Sequence, residues 1–191
     1  MKQVGLYFGS FNPIHVGHLI IAEHLIENST LDEIWFVISP SNPLKEKKNL
    51  LDEHDRYYMV QIAIENDERF KTCDVEFYLP RPSYTCFTLV KLQETYPNYA
   101  FSIIMGEDNL QNIEKWKNHE FILKNYPIYV YPRFGSQADK EYEGARIIRV
   151  NAPRVELSST MIRDQIKQHK NVRHCLPEAV AKHIEFMNFY R

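Results

Sequence analysis

Val4-Gly5-Leu6-Tyr7-Phe8-Gly9-Ser10-Phe11-Asn12-Pro13-Ile14-His15-Val16-Gly17-His18 holds a buried strand, a glycine-led loop and the start of an apolar helix in one short stretch. The run Val4–Phe8 is continuously apolar rather than alternating, the pattern of a strand covered on both faces. Working outward, β-rich runs recur at Ile34–Ile38, Phe70–Phe77, Phe101–Met105, Ile128–Tyr131 and Ile147–Val150. Helical spacing fills the intervals: Leu19, Ala22 and Ile26; Tyr58, Ile62 and Ala63; Leu89 and Leu92. This alternation predicts an α/β fold, Rossmann-like and doubly wound, with a mainly parallel sheet. Helix starts are signalled by Asp52 with Asp55 three residues on, by Ser83 or Thr85, and by Ser158 or Ser159, whose side-chain oxygens can satisfy an orphan amide. From residue 158 to 191 the sequence reads as a C-terminal segment of two helices, the second opening at Pro177.

Bulk properties narrow the class. At 191 residues, 44% hydrophobic and 25% charged, the chain is expected to form a single domain over 1–191. Its 23 basic and 25 acidic residues leave a formal charge of −2, so no global positive field points to a nucleic-acid partner. The first apolar stretch is only strand length and lacks a cleavage-site pattern. No window approaches the roughly 18 uninterrupted apolar residues of a membrane span, so the expectation is a cytoplasmic protein with no membrane partner. Cys73, Cys86 and Cys175 show no zinc-site spacing and read as reduced packing residues. Two polar stretches, Ser39–Asn49 and Phe134–Gly144, read as loops.

The chemistry concentrates after the first strand. Ligands of a doubly wound sheet bind at the carboxyl ends of its strands, and a helix N-terminus presents free amides to an anion. Gly9 permits close backbone approach there, and Gly17 lets the helix start tightly against a ligand. His15 and His18, three residues apart, can face the same phosphate and donate N–H groups to charge developing on phosphorus. A lone H-x-x-H would read as a cap and a surface residue. The strand–glycine–loop–helix context favours phosphate, and a zinc reading lacks the glutamate of H-E-x-x-H, replaced by Val16.

Gly9–His18 resembles the G-x-F-x-P-x-H-x-G-H signature of the nucleotidylyltransferase superfamily, and the rest of the chain resembles its bacterial nicotinate-mononucleotide adenylyltransferase branch. The matching segments are Ser41-Asn42-Pro43-Leu44-Lys45, Arg56, Pro82-Ser83-Tyr84-Thr85, Gly106-Glu107-Asp108, Trp116, and Ser158-Ser159-Thr160-Met161-Ile162-Arg163. The resemblance implies adenylyl transfer from ATP to nicotinate mononucleotide, giving the deamido dinucleotide of NAD biosynthesis and pyrophosphate, with Mg²⁺ arriving on ATP and no protein-held metal. It assigns ATP to Gly9, Ser10, Phe11, His15, Gly17, His18, Gly106, Asp108, Ser159, Thr160 and Arg163. The acceptor falls to Asn12, Lys45, Tyr84, Thr85, Trp116 and Lys117, and catalysis to His15, His18, Lys45 and Arg163. By residue type, Asp108 suits ribose hydroxyls, Trp116 a stacked pyridine ring, Thr85 a carboxylate, and Arg163 at a helix start a phosphate.

Departures from the branch are Phe87 where an aspartate is common, Leu44 where histidine is usual, and Tyr131-Pro132-Arg133 in place of an Arg-Pro-Gly turn. Competing readings are a nicotinamide-mononucleotide or phosphopantetheine adenylyltransferase and, in another class, a nucleotide-sensing module without turnover. A homo-oligomer stays open.

Overall fold

A computed structural model describes residues 1–40, 50–136 and 140–191. Six strands among these residues, β1 (Lys2–Gly9), β2 (Glu33–Ile38), β3 (Phe70–Cys73), β4 (Tyr99–Gly106), β5 (Ile128–Tyr131) and β6 (Ile147–Arg149), pair in the order β3-β2-β1-β4-β5-β6, every pair parallel. The helices are α1 (Val16–Asn28), α2 (Glu53–Ile64), α3 (Thr85–Thr95), α4 (Glu107–Gln111), α5 (His119–Asn125), α6 (Ser159–Lys167) and α7 (Glu178–Phe186). This is the doubly wound fold expected, with the sheet wholly parallel. The strand order reverses between β1 and β4, which opens a crevice at their carboxyl ends. Gly9–His18 follows one of these ends, and Gly106-Glu107-Asp108 sits at the other.

Burial on both faces explains the apolar runs. Every residue of β2 is buried, and Leu6 of β1 lies between Trp35 and Ile103 of its neighbours. One face packs Ile34, Phe36 and Ile104 against Ile21, Leu25, Met59, Ile162 and Ile184. The opposite face packs Val4, Leu6 and Ile103 against Leu89, Leu92 and Ile122.

Several local expectations are corrected. The run Phe70–Phe77 splits: the strand stops at Cys73, and Val75–Tyr78 is a short 3-10 turn closed by the Phe77 amide on the Asp74 carbonyl. That turn buries Glu76 against the hydroxyls of Ser83 and Thr88, so a polar partner decides what apolar content alone misread. The inward face of α2 is Arg56, Met59, Val60 and Ile64, with Tyr58 exposed, because a buried arginine occupies a position that reads as solvent-facing. In α1 the buried positions are Gly17, Ile21, Ala22 and Leu25, while Leu19 and Ile26 are half-buried.

Asp52 caps α2 by accepting the His54 amide, and Ser158 caps α6 by accepting that of Met161. Neither Ser83 nor Thr85 caps α3: its N-cap is Tyr84, without a side-chain bond. The segment from Ser158 forms α6 and α7 as expected, the latter following Pro177. All three cysteines are free thiols. Of the two polar stretches, residues 41–49 and 137–139 lie outside the described residues, and Lys45 with them.

Candidate active site

The Gly9–His18 loop is held from behind by side chains of distant elements. Arg56 is fully buried and makes no ion pair among the described residues; its guanidinium donates instead to four carbonyls, Leu51 (2.9 Å), Ser10 (2.7 Å), Ser39 (2.8 Å) and Pro40 (3.1 Å). A planar fork with five donors can satisfy so many acceptors where a lysine could not. From α6, Arg163 donates to the Asn12 carbonyl (2.8 Å) and to Thr160 Oγ1 (3.2 Å), and the Ser159 hydroxyl donates to the Pro13 carbonyl (2.9 Å). In a trans peptide the amide points opposite its carbonyl, so the Arg56 bond turns the Phe11 N–H to the other side of the loop.

The glycines at this turn serve the protein's own rings. A Cβ on Gly9 would lie 2.8 Å from the Phe11 ring, and one on Gly17 would lie 3.0 Å from His15 Nδ1 and 3.1 Å from Val155. Both positions therefore pack directly against side chains of the protein itself. Phe11 itself has φ of +45°, a left-handed conformation uncommon for a bulky residue, and its ring is buried against Tyr7, Phe36 and His18.

His15 is the N-cap of α1 and His18 is in its first turn; their rings stack with centroids 3.7 Å apart at 27°. The His15 amide donates to His18 Nδ1 (3.2 Å), which leaves the His18 proton on Nε2. Burial pushes the pKa of His15 down to about 4, with Arg133 adding to the effect, so this imidazole is neutral at physiological pH. Its Nδ1 is buried and finds no hydrogen-bond partner among the described residues, a polar atom awaiting one. Beneath the pair, Tyr7 and Tyr131 hydroxyls meet at 3.2 Å.

The crevice continues past β4 and β5. Tyr7, His15, His18, Tyr131, Arg133 and Val155 line its inner part, and Asp108, Arg133, Leu157, Ser158 and Met161 its outer part. Asp108 is exposed with Oδ1 3.6 Å from Arg133 Nε, and a Cβ on Gly106 would lie 2.5 Å from Asp108 Oδ1, so a larger residue there would push the carboxylate aside. The Arg133 amide donates to Glu107 Oε2 (3.0 Å), and its guanidinium sits over the Tyr131 ring (5.6 Å). Arg133, Val155 and Leu157 are lining residues that sequence reasoning missed; the Tyr131-Pro132-Arg133 departure was the available signal for the first.

On the other flank, Lys117 Nζ lies over the rings of Tyr84 (4.5 Å) and Phe87 (4.9 Å), drawing these predicted residues together with the departure Phe87. Trp116 is half-buried against the second core cluster, and Thr85 opens α3. Asn12 stands apart from this flank. It is buried, with Oδ1 accepting from Tyr190 Oη (2.7 Å) and the Leu51 amide (3.3 Å), so its carbonyl oxygen faces the protein interior rather than an acceptor. Ser159 is likewise turned to the loop by its bond to Pro13. Among the described residues no group of three or more His, Cys, Asp or Glu could hold a metal ion; the crevice lining carries the exposed carboxylates of Asp108, opposite Arg133, and of Glu156.

Comparison with known proteins agrees with this geometry. The cytidylyltransferase-like family profile matches residues 6–165. Full-length relatives include the probable nicotinate-nucleotide adenylyltransferases of Flavobacterium psychrophilum, 51% identical over 99% of both chains, and of Christiangramia forsetii, 52% identical over 100% of this chain and 99% of that one. Among solved structures, Plasmodium falciparum nicotinic acid mononucleotide adenylyltransferase complexed with NaAD superposes with a TM-score of 0.79 at 22% identity, covering 100% of this chain and 98% of that one, which speaks to fold. No helix among the described residues is long and apolar enough to cross a membrane. Strand order, loop and relatives together show that this chain belongs to the cytidylyltransferase-like family and, within it, to the nicotinate-nucleotide adenylyltransferases.

Proposed function

We propose that the crevice at the ends of β1 and β4 transfers the adenylyl group of ATP to nicotinate mononucleotide, giving deamido-NAD and pyrophosphate. The observation that carries this reading is the stacked His15–His18 pair at the mouth of a loop whose carbonyls are tied back by Arg56, Ser159 and Arg163. The attacking group is a phosphate that is already an anion. No general base or covalent intermediate is required, so catalysis is positioning plus stabilisation of charge at the α-phosphorus.

His18 donates from Nε2 to the developing charge. His15, held neutral, donates or accepts through a buried nitrogen without adding a cation to the stack. Arg163 and Thr160 at the start of α6 meet phosphate oxygens, Asp108 takes ribose hydroxyls, and Lys45 adds positive charge from the stretch after β2. Tyr84, Thr85, Trp116 and Lys117 form the acceptor flank. Mg²⁺ enters as the ATP complex, because a hard cation prefers phosphate and water oxygens to the imidazoles available here.

The test is pyrophosphate release with ATP, Mg²⁺ and a panel of acceptors. Turnover is expected with nicotinate mononucleotide, at a kcat/KM roughly 10²-fold or more above that for the nicotinamide form, whose amide hydrogens would oppose the site's own donors. Absence of turnover by folded protein with every acceptor would overturn the enzyme reading. Equal or reversed preference would overturn only the choice of acceptor.

A further inference from the structure

The tie between Tyr190 and Asn12 joins the two ends of the sequence at the centre of the loop. Tyr190 lies beyond α7, its ring buried in the core cluster that also holds Phe11 and Ile14. Its backbone is in the left-handed region (φ +64°), as is that of Asn188 (φ +57°), so the chain after α7 turns twice through conformations that residues other than glycine rarely adopt. Such strain persists where surrounding contacts overdetermine it. Here the contact is a 2.7 Å bond from the Tyr190 hydroxyl to Asn12 Oδ1, buried and spanning 178 residues. Burial pushes the Tyr190 pKa well up, so the hydroxyl is always a donor at physiological pH.

Asn12 collects donors at both its side chain and its main chain. Oδ1 accepts from Tyr190 and from the Leu51 amide, and the backbone carbonyl accepts from Arg163. An asparagine held at both its side chain and its main chain can turn neither without breaking a bond to a distant segment. It stands three residues before His15 in a buried loop. Orientation is what catalysis of this kind depends on, and displacement of about 1 Å by a change remote from the reacting atoms can cost as much as 10²-fold in rate.

We propose that Tyr190 is a positioning residue for adenylyl transfer, acting through Asn12 to hold the His15–His18 pair at the reacting phosphate. This rests on the reading above and extends it to a residue that touches neither substrate.

Tyr190→Phe removes one oxygen and keeps the ring in its core site. Its kcat is expected to fall about tenfold with the KM for ATP little changed, because the loss is in orientation rather than in a substrate contact. In an Asn12→Ala background the same substitution should cost nothing further, since coupled residues are not additive. The His18 ring nitrogens report the tie without turnover: in wild type their NMR resonances should show the Nε2–H tautomer, and in Y190F a mixture. A Y190F kcat within twofold of wild type, or an equal loss in the N12A background, would overturn the proposal; so would a lowered melting temperature with kcat per folded enzyme unchanged. If folded wild type shows no turnover while the tautomer shift is present, it is the adenylyl-transfer reading that falls.

Discussion

The two flanks of the crevice are built in opposite ways. On the His15–His18 flank a continuous loop is fixed by buried Arg56 and Tyr190 and half-buried Ser159 and Arg163, donors reaching in from α2, α6 and the segment after α7. On the Tyr84–Lys117 flank two short segments meet at the surface: α3 starts without a side-chain cap, and a lysine lies across two rings, one of them 42% exposed. The first flank suits a step that needs one geometry, the second a partner that must enter and leave. Buried multi-donor ties are costly to break, whereas exposed cation–ring contacts contribute only about 0.5–1 kcal/mol each.

The strongest test of that contrast is Arg56. Arg56→Met fills the stem's volume but leaves the carbonyls of Ser10, Ser39, Pro40 and Leu51 without their donor. At about 1–3 kcal/mol for each buried acceptor left unpaired, the loss of unfolding free energy should reach about 4 kcal/mol or more in urea titrations. Arg56→Lys should recover only part of it, because a point charge cannot reach four carbonyls in a plane. A loss below about 1 kcal/mol would mean that the loop stands without its clamp, and the contrast between flanks would fail.

Next in size is His18. His18→Ala should lower kcat by roughly 10²–10³-fold, the usual loss for one preorganised donor to developing charge, with a smaller effect on ATP affinity. Turnover within a few-fold of wild type would reduce His18 to a ring packed on His15 and Phe11.

What could be read from the sequence follows the same division. The Gly9–His18 loop was legible because one contiguous stretch carries strand, loop and helix start, and the positions of β1, β2 and β5 follow from continuous apolar runs. The roles of Asn12, Ser159 and Arg56 as internal ties were not. Each depends on a partner dozens to hundreds of residues away, and local spacing cannot say whether a polar side chain faces a ligand or a carbonyl of its own chain. Glu76 shows the limit most clearly: nothing in Phe70–Phe77 marks one carboxylate as buried, so the apolar content alone predicts a strand through it. Phe87 stands out in the sequence as a departure, but its place under Lys117 comes from the meeting of α3 with the turn before α5.

His15 sharpens the comparison through acid stability. Its folded pKa of about 4 lies below the unfolded value of 6.5, so between these the unfolded chain binds the extra proton and stability falls as pH falls. Going from about pH 7.5 to pH 5 this one group should remove about 2 kcal/mol. The measurement is urea unfolding of wild type and His15→Gln at both pH values, where the variant should lack that portion of the decline. Parallel curves would mean that His15 charges freely in the folded state and that the rigid flank is open to water.

Glu76 should give the smallest effect, and of opposite sign. This carboxyl is buried under the acceptor flank with hydroxyls as its partners, Ser83 Oγ and Thr88 Oγ1 both at 2.8 Å, and burial raises its pKa although those bonds pull the other way. The folded state therefore keeps a proton that the unfolded chain has released. Stability from this group is full below the unfolded value of 4.5 and declines as pH rises through the folded one. Glu76→Gln removes the titration and keeps the shape. Its carbonyl can accept from Ser83, while its NH₂ can donate to Thr88, whose hydroxyl has the Tyr84 carbonyl at 3.3 Å as an alternative acceptor. The stability of E76Q relative to wild type should thus improve as pH rises above 4.5 and level off once the folded carboxyl has lost its proton. The first turn of α3, which lies between Ser83 and Thr88 and carries Thr85, should exchange its amides faster in wild type than in E76Q at the higher pH. A stability difference that does not change with pH would show that Glu76 titrates as it does in the unfolded chain, leaving the acceptor flank as insensitive to proton binding as its exposed lysine and rings suggest.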